Sequence, residues 1–432
     1  MLALQYQYAR SEWAPPAQIR ERQFAQIGRL LDHCLDAVPF HAERLARAGY
    51  RRGAAVDGDL WRRIPVLTRS EVQDAGAALW SSRDPEGHGE RVTFASSGST
   101  GRPVSGVQTE LARLYFDSIT LRDHLWQGRD LGTRLGVIRY AGSLKLHDGR
   151  TSAPGWNAAA ASCFENGPSE FLDVHRPIGE QADWLFEIRP DYLLTNPSVL
   201  RELVRETLRR GVRPDWLRGV GTLGEVLDGE LRAFVGTHWH VAVADIYSAT
   251  ETGYIALQCP AGTNYHVQSE VCLVEVLDGE GRECAAGETG RVVVTPLHNF
   301  AMPLLRYELG DYAEAGDPCA CGRRLPALTR ILGRVRNMVR RPDGRMYWPV
   351  IEEPFRPVRG IVRQFQVVET APREIEARVV AMRPLTSPEE QQVRAGLQES
   401  FGPEYRIVLR YLDKIARGPT GKFEDFVSMV QR

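Results

Sequence analysis

Helical and strand-like segments alternate through the middle of this chain, and that alternation constrains the fold more than any other feature. Apolar residues at helical spacing mark the segments 110–125 and 198–210, and short β-rich runs separate such helices. Strands that alternate with helices predict βαβ units and a mainly parallel sheet, hence an α/β fold. The strand-like runs cover residues 135–138, 192–194, 241–247, 271–277 and 291–296. The later, closely spaced runs favour a more barrel-like β region.

The two ends of the chain differ from this middle. Residues 18–38 have helical spacing that stops before Pro39, and Thr68 or Ser70 is a candidate cap before Glu71. In the tail, a helix opens at Ser387 and runs to about residue 400. Alternating strands are predicted at 364–369, 375–382 and 406–411. We therefore predict a large domain (1–333), a hinge (334–337) and a small mobile α+β domain (338–432).

The overall charge excludes some classes of partner. Lys and Arg number 54 and Asp and Glu 55, for a formal net charge of −1. Nucleic acids and anionic membranes select a basic surface, so neither is expected as the main partner. The first residues do not resemble a signal peptide, and no apolar stretch of about 18 residues occurs. We expect a cytoplasmic protein that is not in the membrane, and the sequence does not give its oligomeric state.

A run of small and hydroxyl residues follows a short apolar stretch at 92–95. Glycines let backbone N–H groups turn inward, hydroxyls add donors and an arginine adds positive charge, a combination that suits a polyphosphate. A flexible surface loop is the alternative interpretation. The members of this candidate loop are Ser96, Ser97, Gly98, Ser99, Thr100, Gly101 and Arg102.

Three more segments carry candidate functional groups. The run 245–253 ends a predicted strand in hydroxyls and a carboxylate, where Glu251 could hold Mg²⁺ beside phosphates. The segment 305–311 ends in Asp311, which could accept hydrogen bonds from a ribose. A glycine-flanked loop at 416–423 presents Lys422, one of only three lysines. The alternative for 245–253 is a strand followed by a capped helix, and the alternative for 305–311 is an ordinary turn. The alternative for Lys422 is a solvated lysine in the tail.

The cysteines predict a metal site. Their number, seven, is odd, which argues against a disulfide framework in a chain of this kind. Cys259 and His266 are followed about fifty residues later by Cys319 and Cys321. Three thiolates and one imidazole are the ligand set of a closed structural Zn²⁺ site. Free thiols are the alternative.

Together these motifs resemble the adenylate-forming superfamily, and within it the phenylacetate-CoA ligase branch. The segment 96–103 is similar to the Ser-Ser-Gly-Thr-Thr-Gly-Lys-Pro loop, with Ser99 for Thr and Arg102 for Lys. The segments 247–251 and 307–311 are similar to Tyr-Gly-x-Thr-Glu and Tyr-Arg-Thr-Gly-Asp. The segment 333–337 is similar to the Gly-Arg-x-Asp-Asp hinge without its two acidic residues, and 419–422 to the loop that carries the catalytic lysine.

The resemblance implies a ligase that joins ATP and a carboxylic acid as an acyl-adenylate and then passes the acyl group to CoA. It implies Mg²⁺ as a cofactor and a small domain that rotates between the two half-reactions. It implies catalytic roles for Lys422, Glu251 and Thr250. It implies ATP binding by residues 96–102 and by Gly224, Glu225, Asp245, Tyr247, Asp311 and Arg334. Candidate walls of the acid pocket are Tyr140, Thr222, Leu223 and Ala249.

The acceptor and the acid stay open at this point. An aryl or arylacetic acid fits the pocket residues without being required by them. Delivery to an acyl carrier protein or an amine is an alternative to CoA, and a zinc-stabilised scaffold without catalysis is a second alternative.

Overall fold

The computed structural model describes residues 1–96, 103–142, 144–334, 338–340, 346–347 and 349–430. Its helices are α1 (Leu2–Ser11), α2 (Pro16–Ala37), α3 (Pro39–Arg47), α4 (Gly58–Arg63), α5 (Arg69–Ala75), α6 (Glu110–Trp126), α7 (Ala158–Ala161), α8 (Ile178–Ile188), α9 (Pro197–Arg210), α10 (Gly229–Trp239) and α11 (Ser387–Phe401).

The strands follow the same chain order. They are β1 (Arg91–Ala95), β2 (Ser105–Thr109), β3 (Leu135–Arg139), β4 (Arg150–Ala153), β5 (Ser169–Asp173), β6 (Tyr192–Thr195), β7 (Gly219–Leu223), β8 (Val243–Ala249), β9 (Gly253–Gln258), β10 (Tyr265–Val267), β11 (Cys272–Leu277), β12 (Thr289–Pro296), β13 (Tyr307–Gly316), β14 (Ala327–Arg334), β15 (Val339–Arg340), β16 (Met346–Tyr347), β17 (Val362–Ala371), β18 (Glu374–Ala381), β19 (Arg406–Tyr411) and β20 (Phe426–Ser428).

A sheet of 12 strands dominates the larger part of the molecule, in the order β11-β12-β13-β14-β10-β9-β8-β7-β6-β3-β5-β4. Strands β5, β3, β6, β7 and β8 pair in parallel, as the alternation of helices and strands predicts. The α/β fold class is therefore confirmed. The described strands do not form a closed barrel: strands β9 to β14 continue the large sheet, with antiparallel neighbours.

Helices α8, α9 and α10 pack with the parallel strands into a common core. Leu185, Leu200 and Leu231 are fully buried in it, and each such burial contributes about 1.5–3 kcal/mol. Helix α9 begins with Pro197 and ends before Gly211, whose φ of +68° suits a residue without a side chain.

The chain divides into two compact units, Met1–Ile331 and Leu332–Arg432. In the second, β17 pairs antiparallel with β18, while β19 and β20 flank them in parallel. Helix α11 starts at a capping box formed by Thr386 and Glu389. This small α+β unit has its own apolar core, which includes Phe355 and Phe401. Residues 335–337 of the predicted hinge lie outside the described residues.

The helices in the described part of the chain do not combine the length and apolar content that crossing a bilayer requires.

Candidate active site

Several predicted motifs lie at one edge of the large sheet. Strands β3, β6, β7 and β8 are parallel neighbours, so their carboxyl ends share that edge. Tyr140 follows β3, Gly224 and Glu225 follow β7, and Thr250 and Glu251 follow β8. In open α/β sheets, ligands bind outside the carboxyl ends of the strands. The fold therefore gathers these segments where a ligand would bind.

The turn between β8 and β9 presents a buried carboxylate. It carries Thr250, which is exposed, and Glu251, whose side chain is 5% exposed. Gly253 closes the turn with a φ of +76°. The Glu251 Oε1 atom accepts a hydrogen bond from Arg69 at 2.7 Å. Its Oε2 atom has no hydrogen-bond partner in the described chain, so a carboxylate oxygen suited to Mg²⁺ remains.

Arg69 links this carboxylate to the predicted phosphate loop. It is the first residue of α5, whose start is fixed by a capping box between Thr68 and Glu71. Its Nη1 atom reaches Glu251, and its Nη2 atom donates to Ser96 Oγ at 3.1 Å. The Arg69 Nε atom is buried without a partner. A buried donor of this kind is available to an anion.

Ser96 marks the first end of the predicted phosphate loop. Its N–H donates to the Val104 carbonyl, and its Oγ accepts from the Val104 N–H, both at 2.8 Å. These bonds extend the antiparallel β1–β2 hairpin and bring the ends of the loop together. The remaining predicted loop residues, Ser97, Gly98, Ser99, Thr100, Gly101 and Arg102, lie outside the described residues.

A second carboxylate approaches from β13. The Tyr247 hydroxyl donates to Asp311 Oδ2 at 3.0 Å. Asp311 follows Gly310, whose φ of +80° lies in the left-handed region. Tyr307, at the start of the same strand, has its hydroxyl 3.5 Å from Arg69 Nη1. The Thr-Glu and Gly-Asp motifs, separated by about sixty residues, are thus connected through two tyrosines and Arg69.

Asp245 and Thr222 lie in the interior. The Asp245 carboxylate accepts from Thr222 Oγ1 at 2.6 Å and from the Tyr265 hydroxyl at 2.8 Å. Burial raises the pKa of Asp245 to about 6, although these two hydrogen bonds oppose the shift. Thr222 is fully buried. In this structure the pair braces β7 against β8 behind the edge, and neither side chain faces solvent.

The remaining predicted pocket and adenine-side residues lie at the carboxyl ends of β3, β7 and β8. Gly224 has a φ of +83°, and Glu225 Oε2 accepts from the Ser198 N–H at 2.9 Å. Leu223 and Ala249 are half-buried. Tyr140 is 48% exposed, with its ring 6.0 Å from that of His175. An aromatic group exposed at this edge can contact an apolar ligand.

The structure brings the four predicted metal ligands together. One ligand atom from each of Cys259, His266, Cys319 and Cys321 lies within 4.8 Å of the others. The Sγ atoms of Cys319 and Cys259 are 3.7 Å apart, and Cys321 Sγ lies 3.3 Å from His266 Nε2. Zinc–sulfur bonds of about 2.3 Å in a tetrahedron place ligand atoms at about this separation. The donor set and spacing therefore fit one tetrahedral ion.

The second unit contains Lys422 and Arg334. Lys422 lies in a tight turn between β19 and β20, where the Gly418 N–H donates to the Lys422 carbonyl at 2.9 Å. Gly421 supports this turn with a φ of +74°. Arg334 is the last residue of β14.

Comparison with known proteins shows which enzymes this chain is similar to. No family model matches the chain. Phenylacetate-coenzyme A ligase of Thermus thermophilus is 28% identical over 370 residues, covering 83% of this chain and 79% of that protein. The enzyme of the same name from Pseudomonas putida is 23% identical over 393 residues, covering 87% and 78%. The structure of 2-hydroxyisobutyryl-CoA ligase in the postadenylation state matches 97% of this chain and 91% of its own, with a TM-score of 0.77 and 18% identity.

The chain is similar to phenylacetate-coenzyme A ligases over most of its length, and it shares the fold of the 2-hydroxyisobutyryl-CoA ligase structure. A third phenylacetate-coenzyme A ligase, from Escherichia coli strain K12, is 24% identical over 345 residues.

One residue of the candidate active site was not predicted from sequence. Arg69 occurs among many arginines and in no motif that we recognised, so its type alone carries no signal. The Thr-x-x-Glu capping box at 68–71 predicts where α5 begins. It cannot predict that the first side chain of α5 meets Glu251, because that contact joins residues 182 positions apart.

Proposed function

We propose that this protein is an aryl- or arylacetyl-CoA ligase that forms an acyl-adenylate and then a thioester. The contact between Arg69, Ser96 and Glu251 is the observation that carries the proposal. It joins the start of the Ser/Gly loop to the carboxylate after β8, which are the two parts needed to bind a metal-bound triphosphate. The named activity of the relatives from Thermus thermophilus and Pseudomonas putida supports the same reaction.

In the first step, a carboxylate oxygen of the acid attacks the α-phosphorus of ATP. The bond from that phosphorus to the pyrophosphate oxygen breaks, and pyrophosphate leaves with the electron pair. Both reactants are anionic, so the site must neutralise charge and hold them in line. The loop 96–102 and Arg69 would hold the outgoing phosphates, Glu251 would ligate Mg²⁺, and Thr250 would lie beside it. Bound Mg²⁺ supplies charge neutralisation at the phosphates.

The remaining predicted residues position the nucleotide and the acid. Asp311, which Tyr247 holds in place, would accept hydrogen bonds from the ribose hydroxyls, with assistance from Arg334. The adenine side of the site would be formed by Gly224, Glu225, Asp245 and Tyr247. The buried Asp245 would contribute by bracing the strands. Tyr140, Leu223 and Ala249 would contact the acid. The family resemblance assigns to Lys422 the contact with the carboxylate and the α-phosphate in this step.

In the second step, the CoA thiolate attacks the acyl carbonyl carbon, the bond to the AMP oxygen breaks, and AMP leaves. We propose that the unit that carries Lys422 rotates about residues 334–337 between the steps. The hinge of this chain lacks the two acidic residues of the family pattern. For that reason a carrier protein or an amine remains the alternative acceptor, and a non-catalytic scaffold the alternative to an enzyme.

The products distinguish these candidates. Purified protein is incubated with ATP, Mg²⁺ and panels of aryl, arylacetic and fatty acids, with and without CoA, and the products are identified by mass spectrometry. Acyl-CoA together with AMP supports the proposal and names the acid. An adenylate that accumulates with CoA present points to a carrier protein or an amine. No adenylate with any acid contradicts the proposed function.

We also propose that Cys259, His266, Cys319 and Cys321 hold a structural Zn²⁺. Four protein ligands leave no open coordination position, so the ion would stabilise the fold without taking part in the chemistry. It would connect the β13–β14 loop to β9 and β10. Strand β9 follows the turn that carries Glu251, and β13 carries Asp311.

A further inference from the structure

Arg139 is a charged residue at the candidate active site that the mechanism above does not use. It is the last residue of β3 and is paired in register with Asp173 of β5. Its strand ends at the same edge as β7 and β8, which carry the predicted nucleotide and acid residues. The side chain therefore lies on the ligand-binding edge of the sheet, beside Tyr140.

The Arg139 guanidinium has no hydrogen bond or ion pair with the described residues. Neighbouring carboxylates are already paired: Asp173 accepts from His175, and Asp123 binds Arg129. The contrast with Arg122 on α6 is clear, since that arginine is bound by both Glu12 and Glu270. Arg139 thus carries a positive charge without a partner in this part of the protein.

Aromatic side chains lie near Arg139. The Arg139 side chain is exposed, and the Tyr254 hydroxyl interacts with it electrostatically. The Tyr254 ring is 4.8 Å from that of Phe116, which is 43% exposed. This part of the sheet edge therefore combines aromatic surface with one cation that has no partner among the described residues.

We infer that Arg139 binds a second acidic group of the acid substrate, at the end remote from the carboxyl that is adenylated. Within the proposed aryl- or arylacetyl-CoA ligase activity, the substrate is then an aromatic acid with a second carboxyl group, and not a simple monoacid. A guanidinium presents two parallel N–H donors to a carboxylate, which fixes its orientation as well as its charge. This inference rests on the proposed function because it specifies the acid that the same site activates.

The test compares matched acids in acid-dependent ATP–pyrophosphate exchange. The pair is para-carboxyphenylacetate against phenylacetate. The variants are Arg139→Met and Arg139→Lys, with Arg134→Met as the control, because Arg134 precedes the same strand at its opposite end and donates to the Ile188 carbonyl. Thermal unfolding of each variant confirms that it is folded.

The wild type and Arg134→Met should prefer the diacid of the pair. Arg139→Met should lose about 10- to 100-fold in kcat/KM for the diacid, as expected for a lost charge-assisted hydrogen bond. The monoacid should be unaffected, and Arg139→Lys should recover part of the loss. A wild type without preference for the diacid would overturn the inference. So would an Arg139→Met variant that loses both members of the pair equally, since Arg139 would then contact the reacting carboxylate or the phosphates.

Failure of the proposed function gives a different result. In that case no acid supports exchange in the wild type. The inference is then decided by thermal stabilisation of the protein by para-carboxyphenylacetate without ATP. Stabilisation that is lost in Arg139→Met would uphold the diacid site on a protein of another activity. Equal stabilisation of both proteins, or none, would overturn it.

Discussion

Arg69 holds the carboxylate on which the proposed chemistry depends. Its bond to Glu251 lies within the protein, with the two side chains 17% and 5% exposed. A buried ion pair is costly to break from one side, because the remaining charge loses its partner. Arg69 therefore orients Glu251 before any ligand binds, and its buried Nε offers a further donor.

Replacing Arg69 should impair adenylation more than it impairs folding. We expect Arg69→Ala to lower acid-dependent exchange by about 100-fold, because the variant removes charge stabilisation from the phosphates and lets Glu251 move. The exchange rate of Arg69→Lys should lie between those of Arg69→Ala and the wild type. A lysine ammonium keeps the positive charge, but it cannot bind Glu251 and Ser96 at the same time as the guanidinium does. Arg330→Ala is the control, because Arg330 forms an exposed pair with Glu314. Near-normal exchange in Arg69→Ala would contradict this role.

The buried Asp245 should make stability depend on pH. Its pKa is raised from 3.8 to about 6 in the folded protein, so the folded state holds this proton more tightly than the unfolded state does. The stabilisation is complete below the unfolded pKa and is lost as the pH rises through about 6. Between about pH 4 and pH 7, the free energy of unfolding should fall in the wild type by up to about 3 kcal/mol more than in Asp245→Asn. Urea unfolding at a series of pH values measures this difference, and equal slopes would contradict it.

At the scale of secondary-structure elements, the Cys and His cluster joins three segments that are distant in sequence. His266 belongs to the short strand β10, Cys259 follows β9, and Cys319 and Cys321 lie between β13 and β14. A bound ion would stabilise the folded form because the unfolded chain holds no preformed site.

We expect the purified protein to contain about one zinc per chain, measured by elemental analysis. Cys321→Ser should lose the metal and lower Tm, since a hydroxyl is a poor zinc ligand. Cys163→Ser should keep the metal and the Tm of the wild type, because Cys163 lies apart from the cluster beside α7. Full zinc content in Cys321→Ser would contradict the assignment.

A buried ionic network holds the first helix in place. Arg122 on α6 is 2% exposed and binds Glu12, which follows α1, and Glu270, which precedes β11. Its guanidinium also lies 4.6 Å from the Trp126 ring centroid. Arg122 therefore contributes to the attachment of α1, together with the hydrogen bonds of Gln5 and Tyr8 to Ser118.

Arg122→Met should destabilise the first unit by about 3–5 kcal/mol, because Glu12 and Glu270 both lose the buried guanidinium that they share. The exposed Arg113 on the same helix provides the matched control, and Arg113→Met should change stability by less than about 0.5 kcal/mol. Urea unfolding of the three proteins gives both values. If Arg122→Met lowers the free energy of unfolding no more than Arg113→Met does, the ionic network contributes little to stability.

At the scale of the whole molecule, the sequence predicts local and periodic features better than distant contacts. The helix before Pro39, the helix opened at Ser387 and the parallel strands all follow from spacing and end signals within a few residues. Short strands such as β10 and β20 were not predicted, because three residues carry no measurable period. The sequence does not distinguish a closed barrel from a continued sheet, because closely spaced antiparallel strands are compatible with both.

The candidate site shows the same division. Motif residues such as Glu251 and Asp311 can be identified because each lies in a short pattern whose chemistry is recognisable. Arg69 and Arg139 can be identified only when the fold places them at the sheet edge. Asp245 was predicted beside the nucleotide, and only packing shows that Thr222 and Tyr265 enclose it.

The two compact units should unfold in separate steps. Each has its own apolar core, and the core of the second includes Phe355, which is 1% exposed and stacks on Phe365 at 4.1 Å. Domains with separate cores depart from two-state unfolding. We expect two calorimetric transitions. Phe355→Ala should lower only the transition of the second unit, because that unit loses about 3–5 kcal/mol of unfolding free energy. A single transition that Phe355→Ala lowers as a whole would contradict this.

The most direct test of the central claim, adenylation at the site around Glu251, is acid-dependent ATP–pyrophosphate exchange. Wild-type protein is compared with Glu251→Gln and Lys422→Ala across the acid panels. We predict exchange with one class of acid in the wild type and a fall of at least about 100-fold in each variant, because each removes charge that the transition state requires. Exchange at the wild-type rate in Glu251→Gln, or no exchange with any acid by the folded wild type, would contradict the account.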